Sequence, residues 1–357
     1  MVKYTSLIYW FKNQYIGGVF LLPKIKKNAK EMNDIILDYL DYCNFKNLSI
    51  KTIKSYHQTL MLFSKYLEEE KEITDINKVN KDIVQEYITF TKERGKYSFT
   101  SCEEDVIKSH IDKRSDIGKE VSNATLNNYL RNIKAFFGWL EANRIIKKNT
   151  VYKCKFIKTE RKSKEQLTDQ EYNKLIKSMD CTKFHEFRDY TVINLIFDTG
   201  MRLSETLNLT INDVDLIRRT ILIPAEISKG RKDRVVFYSQ QMSKLLQRWL
   251  RYKDTMQETE LLFPTQRTNG IISNSNFERN FRTYLKRAKI KKKITPHGLR
   301  NNFARRFILN GGSLAILSKI LGHSSVKVTE AAYLDLMEDD LRKSYQKYSP
   351  LENNREF

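Results

Sequence analysis

The sequence predicts a mainly α-helical protein of two domains, with one small antiparallel sheet in the second domain. Several segments have apolar residues at helical spacing, and β-branched runs that suit strands lie close together at one place only. A chain of 357 residues can bury at least two ordinary cores, and 40% hydrophobic residues indicate folded material. We therefore expect two helical units.

Two long amphipathic helices predict the first domain, residues 28–152, which follows a short extension at residues 1–27. Ser49 and Ser122 are the expected N-caps. Shorter helices around residues 35–42 and 83–90 should complete a bundle, and the polar stretch 93–120 suits an irregular connection. The two apolar stripes, which should pack against each other, are Ile53, Tyr56, Leu60, Phe63 and Leu67, and Leu126, Tyr129, Ile133, Phe136, Phe137 and Leu140.

A basic linker, residues 153–164, separates this bundle from the second domain, residues 165–345, and a tail covers residues 346–357. Thr168 and Glu171 fit a capping box at the first helix of the second domain. The runs 220–224 and 234–238 flank a polar turn and predict a hairpin.

The charge of the chain points to a polyanionic partner. A formal net charge of +21 and a pI near 9.6 favour nucleic acid, held by contacts to its phosphates. The alternative at this stage is a protein that is merely rich in lysine.

The four cysteines form no Cys-x-x-Cys pair and have no His at zinc-finger spacing, which is typical of reduced thiols. The apolar runs near the start of the chain are too short for a membrane span or a secretory core. We expect a cytoplasmic protein with no membrane association and no metal site.

The Arg-Glu box, residues 200–205, places a glycine before a short helix. Arg202 and Glu205 are i,i+3 neighbours, so the carboxylate can orient the guanidinium. The alternative is an ordinary surface ion pair of little energetic value.

The His-Arg box, residues 297–300, opens another helix, with Thr295 as candidate N-cap and Pro296 at the first position. His297 and Arg300 share a face. An arginine fork can bind two phosphate oxygens at once, whereas a histidine near a helix start often only caps or packs.

The Gly-His box, residues 321–323, ends a helix at Gly322 and is followed ten residues later by Tyr333. A tyrosine hydroxyl can attack a phosphodiester when cationic donors stabilise the transition state and an acid protonates the leaving oxygen. Lys229 at the hairpin tip could be that acid, with Lys232 as its rival. Such a site needs no metal and no nucleotide cofactor.

These boxes, in this order, resemble the tyrosine recombinase (phage integrase) family over residues 28–345. The resemblance implies a site-specific DNA recombinase that forms a 3′-phosphotyrosyl link, acts as four protomers on two sites and serves a mobile element. The implied phosphate-binding residues are Arg202, His297, Arg300 and His323, supported by Glu205; the implied general acid is Lys229, and the implied nucleophile is Tyr333.

The resemblance also makes the first domain a core-binding domain that clamps double-stranded DNA. The basic residues expected to contact DNA are Lys51, Lys54, Lys155, Lys158, Arg161, Lys162, Arg231 and Lys232. This chain departs from the pattern at Asp335, where many relatives have His or Asn, and in lacking room for a separate arm-binding domain.

Three alternatives stay open on the sequence. They are a recombinase that resolves chromosome dimers, a type IB topoisomerase that relaxes supercoils, and a DNA-binding regulator that keeps the fold without cutting. The first domain argues against the topoisomerase, and the complete set of basic residues with Tyr333 argues against the regulator.

Overall fold

A computed structural model describes residues 31–100, 114–159, 165–228, 230–256, 258–323 and 325–333, together with residues 342 and 345. The chain divides into two compact units, Met1–Arg161 and Lys162–Phe357. The predicted mainly helical fold with a small antiparallel sheet is confirmed. None of the helices within these ranges has the length and apolarity needed to cross a membrane.

Two helices of the first unit begin at the predicted caps. The side chains of Ser49 and Ser122 each accept a bond from the backbone N–H three residues on, at 3.2 Å in both cases. Short 3₁₀ turns lie at Ile76–Lys78 and Val151–Lys153. The helices are α1 (Met32–Phe45), α2 (Ile50–Glu69), α3 (Lys81–Arg94) and α4 (Asn123–Ala142).

The core of the first unit is aromatic and follows the predicted stripes. Phe63 packs edge-on against Tyr87 with ring centroids 4.9 Å apart, and Phe136 packs against Tyr39 at 5.3 Å. A polar pair also lies in the contact between α2 and α4, where Asn132 donates to Thr59 at 2.9 Å. The predicted packing of the two long helices against each other is confirmed.

Part of the predicted basic linker is held against α4. The amide of Asn127 donates to the Ile157 carbonyl and accepts from the Ile157 N–H, both at 2.8 Å. Since both groups of this side chain bind one residue, the segment that carries Lys155 and Lys158 is fixed beside the start of α4. The division between the two units falls within the predicted linker.

The second unit begins with the predicted capping box, in which Thr168 and Glu171 exchange hydrogen bonds. Its earlier helices are α5 (Asp169–Lys177), α6 (Phe184–Thr199), α7 (Leu203–Leu207) and α8 (Gln240–Met256). Its later helices are α9 (Asn274–Arg287), α10 (Pro296–Leu309), α11 (Leu314–Leu321) and α12 (Val326–Tyr333).

The sheet of the second unit has the order β1 (Val214–Asp215), β2 (Thr220–Ile223) and β3 (Arg234–Phe237). The predicted hairpin is the antiparallel pair β2–β3, whereas β1 follows a 3₁₀ turn at Ile211–Asp213 and was not predicted. Ile223 pairs with Arg234 at the loop end of the hairpin. One face of the sheet is buried, and this face carries Arg234 towards the site.

Candidate active site

Gly200 ends α6 in the left-handed region, with φ +69°, and opens the Arg-Glu box. A Cβ at this position would lie 2.3 Å from the Phe303 ring and 2.9 Å from Leu321. The backbone therefore passes close to α10 and α11, and its carbonyl is available as an acceptor for a side chain from α10.

Glu205 anchors Arg202 from inside the protein. One carboxylate oxygen accepts from the Arg202 backbone N–H at 2.9 Å, and the other accepts from its guanidinium at 2.7 Å. The Glu205 side chain is 0% exposed and that of Arg202 is 22% exposed. A surface ion pair of little value is thus the wrong interpretation, and the orientation of Arg202 by Glu205 is observed.

A second arginine, Arg234 at the start of β3, also binds Glu205. Its guanidinium meets both carboxylate oxygens, with Nη1 3.0 Å from Oε1 and Nη2 against Oε2. Burial raises the pKa of the Glu205 carboxyl, but Arg234 and then Arg202 outweigh burial, and the net pKa is lowered. The carboxylate stays ionised between two arginines.

Arg300 joins the three boxes. Its guanidinium donates to the Gly200 carbonyl at 2.8 Å, to the Leu321 carbonyl at 2.8 Å and to His323 Nε2 at 3.0 Å. The side chain is 1% exposed. Because these partners belong to α6, α11 and the Gly-His box, one side chain from α10 fixes residues that are 100 and 21 positions away.

His323 is held as a neutral ring with a defined tautomer. A guanidinium can only donate, so Nε2 accepts from Arg300, and the proton lies on Nδ1, which donates to Thr329 Oγ1 at 2.8 Å. Burial and then the charges of Arg300 and Arg202 lower the pKa of His323 to about 4. An anion beside Nε2 would raise the pKa of His323, against the effect of burial and of the two arginines.

His297 is the second residue of α10 and Arg300 the fifth, and His297 is exposed to solvent. The charge of His297 contributes to the lowered pKa of His323, which places both histidines in the same electrostatic environment. The structure therefore brings Arg202, Glu205, Arg300 and His323 together as the sequence predicted.

Tyr333 lies on α12, so its predicted place on the helix after the Gly-His box is confirmed. The position of its phenol lies outside the described part of the structure, as does Lys229. The chain neighbours of Lys229, Ser228 and Gly230, are described. Helix α12 is tied to the site through Thr329, which is one turn before Tyr333 and fully buried.

Sequence reasoning missed two residues of the site, Arg234 and Thr329. A strand period of two places Arg234 on the same face as Val236, which is buried, and this inward charge was the available signal. Thr329 has no comparable signal, because its role depends on a contact with His323 across a turn.

Six of the residues predicted to contact DNA are exposed, and two, Arg161 and Lys162, lie outside the described residues. The exposed residues are Lys51, Lys54, Lys155, Lys158, Arg231 and Lys232. Exposure leaves them accessible to a polyanion, and their contacts with DNA stay a prediction.

The helical fold and the arginine, histidine and tyrosine boxes define the class of tyrosine recombinases, which are DNA strand-transferring enzymes. The model of the phage integrase family matches residues 165–339, and that of the phage integrase N-terminal SAM-like domain matches residues 36–107. The chain belongs to the phage integrase family. Site-specific DNA recombination, the activity of this family, is therefore the activity of this chain.

Relatives and solved structures agree with this assignment. Tyrosine recombinase XerD of Staphylococcus epidermidis is 27% identical over 326 residues, 89% of this chain and 99% of the relative. Tyrosine recombinase XerC of Bacillus subtilis is 26% identical over 296 residues, 81% of this chain and 95% of the relative.

Two solved structures show the same fold. The Tn1549 transposon integrase in complex with transposon right end DNA has a TM-score of 0.64 at 15% identity, covering 89% of this chain and 99% of that chain. The XerH site-specific recombinase bound to palindromic difH substrate has a TM-score of 0.63 at 19% identity, covering 84% and 81%.

Proposed function

We propose that Tyr333 is the nucleophile of this recombinase. Its oxygen forms a bond to the phosphorus of a DNA phosphodiester while the bond to the 5′ oxygen breaks, which leaves a 3′-phosphotyrosyl link that conserves the energy of the bond. A 5′ hydroxyl of the partner duplex then attacks this link and restores a phosphodiester. The attachment of α12 to His323 through Thr329 supports this role, because it ties the helix of Tyr333 to the site.

The other residues have distinct roles in the proposal. Arg202 and Arg300 bind the non-bridging phosphate oxygens, and His297 and His323 assist them. Lys229 gives its proton to the departing 5′ oxygen. No step of this scheme uses a metal or a nucleotide.

One observation carries the proposal: guanidinium groups from separate elements meet at one place. Within the part of the chain that the structure describes, Arg202, Arg234 and Arg300 contribute three cationic groups in or beside the contacts of Glu205 and His323, together with the carboxylate of Glu205. A site built in this way binds an anion and stabilises the additional charge of a pentavalent phosphorus. The scissile phosphate of DNA is such an anion.

A covalent adduct tests the proposal directly. The protein is incubated with a nicked duplex that carries its recognition site, so that the cleaved strand cannot be rejoined, and the products are run on a denaturing gel. We expect a protein–DNA adduct that Tyr333→Phe eliminates. Binding of the duplex without an adduct in the wild-type protein would contradict the proposal and support the non-cutting regulator.

Strand exchange determines the assembly that we propose. Two duplexes exchange both of their strands through four breaks, and each break uses one tyrosine, so a homo-tetramer on two sites supplies the four nucleophiles. Sedimentation of the protein with its duplex should give four protomers for two duplexes. A complete reaction by a monomer would contradict this assembly.

For the biological role we propose integration and excision of a mobile element. The match covers 99% of the XerD relative and 89% of this chain. This chain therefore carries residues that the relative lacks, which supports a role beyond dimer resolution. The identity to XerD and XerC makes dimer resolution the second candidate. Detection of the joined ends of an excised circle would support the element, and resolution of a plasmid dimer alone would support the second candidate.

The type IB topoisomerase is excluded by a simple assay if the proposal is correct. A supercoiled plasmid without the recognition site should remain supercoiled, whereas a topoisomerase would relax it to completion.

The free thiols of Cys43, Cys154 and Cys181 support a reducing compartment, and we place the reaction in the cytoplasm.

A further inference from the structure

Arg234 connects three elements around the site. Besides its two bonds to Glu205 in α7, its Nε donates to the Ile320 carbonyl in α11 at 3.3 Å. Its side chain packs on Gly322, where a Cβ would lie 2.9 Å from the arginine Cδ. The side chain is 10% exposed, so Arg234 is enclosed by the elements that it connects.

The hydrogen bonds of Arg234 are directed to the protein. Nη1 donates to Glu205 and, at 3.4 Å, to the hydroxyl of Ser228, so that four of the five N–H donors of the guanidinium have protein acceptors. Arg202, whose side chain is 22% exposed, is more accessible to a phosphate than Arg234, and Arg234 acts on the residues that surround it.

The β2–β3 loop is braced on both sides of Lys229. Before it, Ser228 is bonded to Arg234. After it, the Arg231 N–H donates to the Ser228 carbonyl at 3.0 Å, and Asp233, beside Arg234, accepts from the Ala225 N–H at 2.7 Å. Since Arg234 in turn is bound to Glu205, the loop is attached to the carboxylate that orients the phosphate-binding arginine.

We propose that Arg234 is a positioning residue of the cleavage reaction: through Ser228 it holds the β2–β3 loop that carries the proposed general acid, Lys229. The inference rests on the proposed function of Lys229. In the step concerned, the phenol of Tyr333 loses its proton to water as its O–P bond forms. The bond to the 5′ oxygen breaks, and the Lys229 ammonium protonates that oxygen.

A change of leaving group isolates this step. If the 5′ bridging oxygen is replaced by sulfur, the P–S bond breaks and a thiolate leaves without needing a proton. Displacement of the general acid then no longer slows the reaction, whereas a loss of phosphate binding or of the nucleophile still does. The comparison of the two substrates thus reports on the placement of Lys229 and not on stability.

The decisive variant is Arg234→Lys, which keeps a positive charge near Glu205 but cannot form the same four bonds. With the oxygen duplex described above, we expect adduct formation to slow by about 100-fold, the lower range for loss of general acid catalysis. With the sulfur duplex, we expect a rate within a few-fold of the wild-type protein.

Two variants provide matched controls. Lys229→Ala should show the same rescue by sulfur, and Arg202→Gln should be slow with both duplexes because it acts on phosphate binding. Thermal melts of all variants check folding. If Arg234→Lys does not fold, Ser228→Ala removes only the loop end of the contact and should give a smaller loss with the same rescue.

Each outcome decides a different claim. Suppose that sulfur rescues Lys229→Ala but does not rescue Arg234→Lys, or does not rescue Ser228→Ala if Arg234→Lys fails to fold. Then the positioning role of Arg234 is wrong and the proposed function stands. If sulfur does not rescue Lys229→Ala, the acid role of Lys229 and this inference both fail, while the adduct through Tyr333 remains. If the wild-type protein forms no adduct with either duplex, the proposed function itself fails.

Discussion

The two units bury polar groups between their helices in different ways. In the first unit, Asn132 donates to the Ser55 carbonyl, to the Ser55 hydroxyl and to Thr59 at 2.9–3.2 Å, and all of these groups are neutral. In the second unit, Arg202 and Arg234 share the buried carboxylate of Glu205. Arg300 adds a further charge beside His323.

The difference separates a structural cluster from a functional one. In the neutral cluster, the Asn132 amide nitrogen and the Thr59 hydroxyl both have acceptors, and these bonds fix the register of two helices. In the charged cluster, the described residues place three guanidinium groups beside one carboxylate. Such a cluster suits an anionic ligand, because nearby cations stabilise a bound anion.

The largest effect should follow from a change in the charged cluster. Arg202→Gln should slow adduct formation by about 100-fold to 1000-fold, the usual result of removing one donor to a developing anion. Non-specific affinity for DNA should change little, because one phosphate contact alters the salt slope by about one unit. Gel shifts at several salt concentrations check this, and a parallel loss of binding and cleavage would erase the distinction between the clusters.

An intermediate effect should follow from a change in the neutral cluster. Asn132→Ala should lower the free energy of unfolding of the first unit by about 1–3 kcal/mol, since it leaves buried polar groups without a partner. Urea denaturation measures this loss. Asn128→Ala is the matched control, because the Asn128 side chain makes longer bonds, donating to Ser55 at 3.4 Å and accepting from Arg131 at 3.3 Å. A slower cleavage reaction by fully folded Asn132→Ala would show that this cluster is not purely structural.

The smallest effect concerns pH. The pKa of His323 is about 4 in the folded protein and about 6.5 in an unfolded chain. Between these values the unfolded chain binds more protons, so the free energy of unfolding falls as the pH falls from 7 to 5. His323→Gln should lose less stability over this interval in urea denaturation. Equal losses in the two proteins would mean that the ring is not held neutral by its arginines.

The helices and their caps could be predicted from the sequence because their causes are local. Ser49, Ser122 and Thr168 bond to backbone groups within three residues, and the apolar stripes follow from one helical period. β1 escaped prediction because two residues carry no period of their own and are strands only by pairing with β2.

Most residues of the site could be predicted from the sequence, but fewer of the contacts between them could be. Spacing and residue type identified Arg202, Glu205 and Arg300, but neither reports that Glu205 is fully buried or that Arg234 shares it. These facts depend on contacts between residues 29 or more positions apart. The inward face of β3 was a signal for Arg234, and it gains meaning only when the buried partner is known.

The close approach at Gly200 has a consequence for how this gene can vary. Any side chain there would have to displace Phe303 and Leu321 and adopt an unfavourable backbone conformation, while the carbonyl of the same residue must still face Arg300. If position 200 is changed to every amino acid and the variants are selected for recombination, glycine alone should be recovered, even if neighbouring surface positions accept many residues.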